Sequence, residues 1–260
     1  MGIHRTLVLP DIHVPNEHKP SVDAVLEFAK YFKPHRFVQL GDFCDFNSLS
    51  SYDLHKPSEF IYLEDELGPT NALLDRIDKV LPRSCEKILI GGNHEDRYPI
   101  YLAKKMFFGD RVSNSLHKFS ESWAQEYNLH KRNKWKWCEY GESFRFGKIT
   151  YTHGWASGNS ACLDLSKRFP GQNVLAGHVH SHMVYGCMDE RQLPIEIETI
   201  GTLSRFDLAY LRGKPAFNWA RGFSTVFTME DGTFTKSFTH IVDGRFIANE
   251  RVFDGNCKPA

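Results

Sequence analysis

The chain has 260 residues, with 32 Lys+Arg balanced by 32 Asp+Glu, and is 41% hydrophobic and 25% charged. That is an ordinary globular composition, long enough for a sizeable core, and its balanced charge excludes any global pull toward nucleic acid or an anionic surface. No apolar run reaches bilayer length, no signal-peptide pattern opens the chain, and its six cysteines form no C-x-x-C pair, so we expect a cytoplasmic protein with reduced thiols and no membrane partner.

In chain order, "TLVLP" (6–10) reads as a buried strand, "SVDAVLEFAKYF" (21–32) as an amphipathic helix and "RFVQL" (36–40) as a second strand. Residues 63–81 are helical in pattern, with Gly68-Pro69 expected to break or kink them, and "KILIG" (87–91) is a third strand. This βαβαβ opening predicts a parallel sheet covered by helices, with ligands at the carboxyl ends of the strands. After residue 140 the pattern becomes strand-rich. "SFRFG" and "KITYTHG" form a hairpin, followed by short strands in "NVLAGHVH", "HMVYG", "IEIETIG", "FSTVFTM" and "TFTKSF". No linker divides the chain, so a single domain is expected.

The stretch 98–140 stands apart, with ten aromatics and eight Lys/Arg against four acids. It is expected to be a helical insertion, a cap over the site. Aromatic faces stack on bases while Lys and Arg meet phosphates, although "AKKMFF" and "WAQEY" equally fit ordinary amphipathic helices.

The residues just after the strands carry the chemistry. The first strand ends in "PDIH" (Asp11, His13), the second in "LGDFCD" (Asp42, Asp45) and the third in "GGNHED" (Asn93, His94, Glu95); later ones end in "YTHGW" (His153) and "AGHVHSH" (His178, His180). An Asp after a strand is ordinarily a cap or turn residue. Five such ends on one sheet edge exceed that explanation, because caps do not require histidine. Carboxylate, imidazole and amide donors without thiolate suit Mn²⁺, Fe²⁺ or Zn²⁺. Seven donors are too many for one ion and suit two ions, about 3.5–4 Å apart, sharing a carboxylate for hydrolysis of a phosphoester. Gly41, Gly92 and Gly177, each preceding a donor, let the backbone approach closely.

On extended-chain spacing, His178 and His180 stand about 6.6 Å apart, which suits rings reaching different ions. His182, about 13 Å from His178 on the same spacing, is expected outside the ligand set, facing substrate or solvent.

The order D-x-H, G-D-x-x-D, G-N-H-E, H-G, G-H-x-H over residues 11–180 resembles the calcineurin-like metallophosphoesterase superfamily, which includes protein phosphatases, cyclic-nucleotide phosphodiesterases and nucleases. The resemblance implies an α/β fold, a sandwich of two mixed β-sheets flanked by helices. It implies that Asp11, His13 and His180 hold one metal and Asn93, His153 and His178 the other, with Asp42 bridging. His94 and Asp45 become the catalytic pair: His94 as general acid or transition-state stabiliser, Asp45 orienting it. Water between the ions is then the nucleophile. Mn²⁺ is the first choice of metal, with Fe, Zn and Ni also compatible.

One departure is informative. Phe46 stands where protein phosphatases of this superfamily carry Arg after the second Asp, which argues against that branch. Arg97 and the segment 203–222, with Arg205, Arg212, Lys214 and Arg221 against Asp207, are the candidate phosphate-binding replacements, and His182 is a further substrate-facing candidate. The favoured substrate is DNA, RNA or a nucleotide. A small-molecule phosphatase or cyclic-nucleotide phosphodiesterase is the alternative, and a non-catalytic scaffold a remote one, since the ligands and His94 are all present.

Overall fold

The computed structural model describes residues 2–51, 60–107, 122–208, 211, 214 and 216–257. Its order is β1 (Ile3–Leu9), α1 (Lys19–Phe32), β2 (Arg36–Gln39), α2 (Leu63–Val80), β3 (Glu86–Ile90), α3 (Arg97–Phe107), α4 (Trp123–Glu126), β4 (Trp135–Cys138), β5 (Ser143–Phe146), β6 (Ile149–Thr152), α5 (Ala161–Arg168), β7 (Asn173–Ala176), β8 (His182–Met188), β9 (Pro194–Ile200), β10 (Gly222–Met229), β11 (Phe234–His240), β12 (Arg245–Ala248) and β13 (Arg251–Asp254). Two mixed sheets result. One runs β11-β10-β1-β2-β3-β4, with β1 to β4 parallel and β10 and β11 antiparallel; the other runs β5-β6-β7-β9-β8. A hairpin, β12–β13, stands apart and packs Phe246 and Phe253 beside Phe28 of α1.

The layers follow from side-chain alternation along strands covered on both faces. In β1, Leu7 and Leu9 join the cluster that holds Val25, Phe28 and Leu74 of α1 and α2, while Val8 faces the other way into a second cluster. That second cluster is the space between the sheets, where Val8, Val38, Ile88 and Ile90 meet Tyr151, Leu175 and Ile200. On the far side of the second sheet, Val174, Ala176, Ile195 and Ile197 pack on Cys162 and Leu165 of α5. This is the expected sandwich, layered helix, sheet, sheet, helix.

Two expectations are revised. Helix α2 runs unbroken through Pro69. One proline removes one backbone bond, and a helix of 18 residues held by Leu73, Leu74 and Ile77 absorbs that loss. In the 98–140 stretch, residues 108–121 lie outside the described residues. Around them, α3 and α4 are helical, but "WKWC" is β4, the edge strand beside β3. Only Trp135 of this strand is buried, with Lys136 and Trp137 exposed. Trp123, Tyr127, Leu129 and Trp135 also join the main core beside α2 and form no core of their own. Among the described residues, no helix is long and apolar enough to cross a membrane.

Candidate metal centre

All seven predicted donors converge at the carboxyl ends of β1, β2, β3, β6 and β7, because parallel strands deliver the loops that follow them to one edge. Six of them form two groups, Asp11–His13–His180 and Asp42–His153–His178, each with donor atoms within 4.8 Å of one another, and a third such group, His13–Asp45–His94, shares His13 with the first. In the first group, Asp11 Oδ2 lies 3.0 Å from His180 Nε2 and 4.0 Å from His13 Nε2. In the second, Asn93 Oδ1 lies 3.0 Å from His153 Nε2 and 2.9 Å from His178 Nδ1. Asp42 Oδ2 stands between the groups, 3.8 Å from His13 Nε2 and 3.4 Å from His153 Nε2.

The loops that carry these groups are tightly wound. His13, Asp42, His178 and His180 all have positive φ, at 55°, 48°, 74° and 58°. Left-handed backbone at non-glycine residues costs about 1–3 kcal/mol apiece and clusters at functional sites. This corrects the spacing argument for "GHVHSH": β7 stops at Ala176, so the two ligand histidines sit on a left-handed turn and not on an extended strand. They still reach different groups, as expected. Gly92 and Gly177 are needed for space, since a Cβ at the first would collide with Asp42 and at the second with the Asp11 carboxylate.

Hydrogen bonds outside the groups set the tautomers. His13 Nδ1 lies 2.9 Å from Asp45 Oδ1, and the Asp45 carboxyl is held far below the usual range because bonds from His13 and His94 outweigh its burial. An ionised carboxylate only accepts, so His13 Nδ1 carries the proton and Nε2 presents a lone pair. His153 Nδ1 donates to the Leu40 carbonyl (2.8 Å), which leaves its Nε2 facing Asp42 and Asn93. His13 Nε2 and His180 Nε2 are 3.0 Å apart in a buried site; with the His13 proton on Nδ1, a proton on His180 Nε2 makes that contact a hydrogen bond.

The charge balance points the same way. Burial opposes a charged ring at His153, but the Asp42 and Asp11 carboxylates outweigh it and hold its pKa at about 9. Burial and the neighbouring His153 push His178 down to about 4. Without a cation, a proton on His153 supplies the positive charge these carboxylates need. Convergent carboxylate, imidazole and amide oxygen donors of this kind fit a pair of divalent metals.

His94 lies outside the two groups that hold the seven expected donors, and faces Asp45 and His13 in the third. Its Nδ1 is 2.6 Å from the Asp45 carbonyl oxygen and 3.1 Å from Asp45 Oδ1, both acceptors, so Nε2 points toward the centre, 3.8 Å from Asp42 Oδ2. Burial opposes a charged ring here too, yet Asp42 and Asp45 keep its pKa above the ordinary value. Arg97 opens α3 and places Nη2 3.2 Å from His94 Nε2, anchored by Nη1 to the Asp45 carbonyl (3.0 Å). Arg205 is one residue further out: its Nη2 donates to Asn16 Oδ1 (3.0 Å), and Asn16 Nδ2 donates to Asp45 Oδ2 (2.8 Å). His182 is not in the cluster. It bonds Glu198 (2.9 Å) and stacks on Phe238 at the start of β8, so a substrate-facing role has no support from its surroundings. Arg212 lies outside the described residues.

Sequence reasoning missed one supporting side chain, Asn16, and left another, Glu95, without a role. Asn16 fixes Asp45, as above. Buried Glu95 accepts the backbone N–H groups of Asp42, Phe43, Cys44 and Gly92 and the Tyr127 hydroxyl, tying two ligand loops together. Its signal was a carboxylate in "GNHE" with no ligand role of its own.

A family model described as calcineurin-like phosphoesterase matches residues 4–182. The Gene 54 protein of Mycobacterium phage D29 is 25% identical over 278 residues, covering 96% of this chain and 98% of the phage protein. Among solved structures, Vps29 of Entamoeba histolytica complexed with Zn²⁺ aligns at a TM-score of 0.45 and 13% identity over 97% of this chain and 99% of that one. Vps29 of Chaetomium thermophilum aligns at 0.43 and 9%, covering 90% of this chain and 96% of that one. The family match spans the first-sheet core, both donor groups and His94, and the chain belongs to the calcineurin-like phosphoesterase family.

Proposed function

We propose that the chain hydrolyses a phosphoester at a two-metal centre, with a nucleotide or nucleic acid as substrate. The observation that carries this reading is the position of Asp42, one carboxylate within 3.8 Å of ligand histidines from both groups. Asp11, His13 and His180 would hold one divalent ion, Asn93, His153 and His178 the other, and Asp42 both; Mn²⁺ is the first candidate, with Fe, Zn or Ni suited to the same donors. When bound, such a pair supplies charge stabilisation for a phosphoryl displacement and lowers the pKa of water.

The chain's own residues supply the rest. His94 aims Nε2 at the centre with its ring fixed by Asp45; Nε2 accepts from Arg97 Nη2 in this geometry, and once that guanidinium turns to the phosphate a proton taken up on Nε2 would be placed to pass to the leaving oxygen. The Asp45 carboxylate on the other ring nitrogen favours the protonated ring that this acid role needs. Arg97 sets a guanidinium beside His94, where it meets a phosphate oxygen, and takes over the charge that an Arg at position 46 would bring. Phe46 is buried against Tyr98 and Tyr127 instead. The six cysteines are all free thiols, in keeping with a reducing, cytoplasmic setting.

The test is metal titration of the chelated protein with Mn²⁺, followed by a panel of mono- and diesters, nucleotides, single- and double-stranded DNA and RNA. Two bound equivalents and hydrolysis of nucleotide or nucleic-acid esters are expected. Preference for a small non-nucleotide monoester would point to a phosphatase, and two tightly held metals without hydrolysis of any ester would point to a scaffold.

A further inference from the structure

Beyond its charges, the centre carries an aromatic ring on each flank. On the His180 side, Trp219 packs its ring 4.2 Å from that of His180 at 82°, and Phe206 lies against Trp219 in turn. The segment is pinned there: Ala220 N–H donates to the His180 carbonyl (2.8 Å), and the Ala220 carbonyl accepts from Thr202 N–H (2.9 Å). Arg221 lies over Phe206 at 4.0 Å, keeping a cation beside the rings. Phe217, two residues away, is 87% exposed, a large apolar ring held in water next to the site. On the opposite flank, Tyr140 lies 6.1 Å from His153 and is close enough to feel the Asp42 carboxylate, which with burial raises its pKa. Trp219 and Tyr140 are both half-buried residues, neither sealed into the core.

Resting on the two-metal reading above, we propose that the substrate is an internucleotide phosphodiester in a single strand, with the base on one side of the scissile phosphate stacked on Trp219 and the base on the other side on Tyr140. The metal pair defines one point for the phosphate. A diester between two nucleosides is the phosphoester class that projects a planar base to both sides of such a point, whereas a monoester or a sugar phosphate has at most one. Stacking is indifferent to base identity, so little sequence preference accompanies it. Duplex DNA, whose bases are already stacked on one another, leaves these rings without a partner.

The experiment compares kcat/KM for a dinucleotide with kcat/KM for a diester of the same phosphate linkage lacking both bases, in the Mn²⁺-loaded protein. The wild type is expected to favour the dinucleotide by about tenfold or more, and Trp219→Ala and Tyr140→Ala each to reduce that ratio by about fivefold or more, chiefly through KM. Trp219→Phe should restore most of the ratio. Because Trp219 also packs against a ligand histidine, bound metal is counted in each variant, and a loss of ratio that tracks loss of metal overturns the stacking role. A ratio near one in the wild type, or unchanged in both alanine variants, overturns the inference while leaving two-metal hydrolysis standing. Should no ester be hydrolysed, the two-metal reading fails, and quenching of tryptophan fluorescence by a single-stranded oligonucleotide still decides the stacking: quenching lost in Trp219→Ala supports it, and absence of quenching overturns it.

Discussion

In the half of the centre around Asp11, two histidines face a carboxylate within 4.0 Å, and a further carboxylate, Asp45, stands behind His13. In the other half, His153 and His178 face the neutral amide oxygen of Asn93, and His153 is backed by a peptide carbonyl. The two halves offer similar numbers of donors but different charge. Charge count governs affinity for hard and borderline cations, so an ion in the Asp11 half would be held more tightly than one in the Asn93 half. Asp42 belongs to both and couples them.

Removing that coupling has the largest expected effect. Asp42→Asn should empty both halves and take turnover to background, measured by metal analysis together with diester hydrolysis. If the variant keeps two tightly held metals, the halves are independent and the bridging role of Asp42 is wrong. His94→Ala comes next, with kcat lowered about 10²–10⁴-fold, the range for a lost acid or base, and both metals still in place. Loss of metal in that variant would move His94 into the ligand set. A subtler change tests the charge difference itself. During graded chelation the wild type should release one equivalent well before the second, and Asn93→Asp should narrow the two chelator midpoints by about tenfold or more. Coincident midpoints in the wild type would show that the amide makes no difference.

Much of this centre was legible in the sequence because parallel strands carry their following loops to one edge, so Asp11, Asp42, Asn93, His153 and His178 could be placed together without coordinates. The sandwich itself came from the resemblance to the family; the residues alone gave a parallel βαβαβ opening and a strand-rich second half, because strands covered on both faces read as short continuous apolar runs. Reading "GHVHSH" as an extended strand failed because left-handed backbone at His178 and His180 is set by tertiary contacts, among them the His178 N–H bonded to Asp11. Asn16 and the role of Glu95 escaped because the partners of these residues are 29 and about 50 residues distant, and their residue types have many surface roles. "WKWC" was absorbed into a helical stretch because four residues carry too little periodicity to oppose it. His182 differs from its neighbours only in what it meets, Glu198 and Phe238, and spacing could exclude it as a ligand without saying what it does.

The smallest effect lies in how the metal-free protein responds to pH, and it separates the two halves by their protons. His153, with its pKa held at about 9 against burial by Asp42 and Asp11, contributes stability that is fully present below the unfolded value of about 6.5 and is lost as pH rises through 9. The raised pKa of His94, where Asp42 and Asp45 outweigh burial, adds in the same direction above about 6.5. His178, pushed by burial and His153 down to about 4, acts oppositely: between about 4 and 6.5 the unfolded chain binds a proton that the folded ring refuses, so stability rises with pH, and His13, lowered by burial and His94, adds in that direction below about 6.5. Chelated protein should therefore melt highest near pH 6.5 and lose several °C on either side, on the order expected for one shifted group in a chain of this size. With saturating Mn²⁺ the descending limb should vanish, because an ion in the Asn93 half takes the place of the His153 proton. His153→Gln should flatten that limb without metal. If the chelated protein keeps its melting temperature from pH 6.5 to 9, the proton does not reside on His153, and the charge balance assigned to the Asn93 half is wrong.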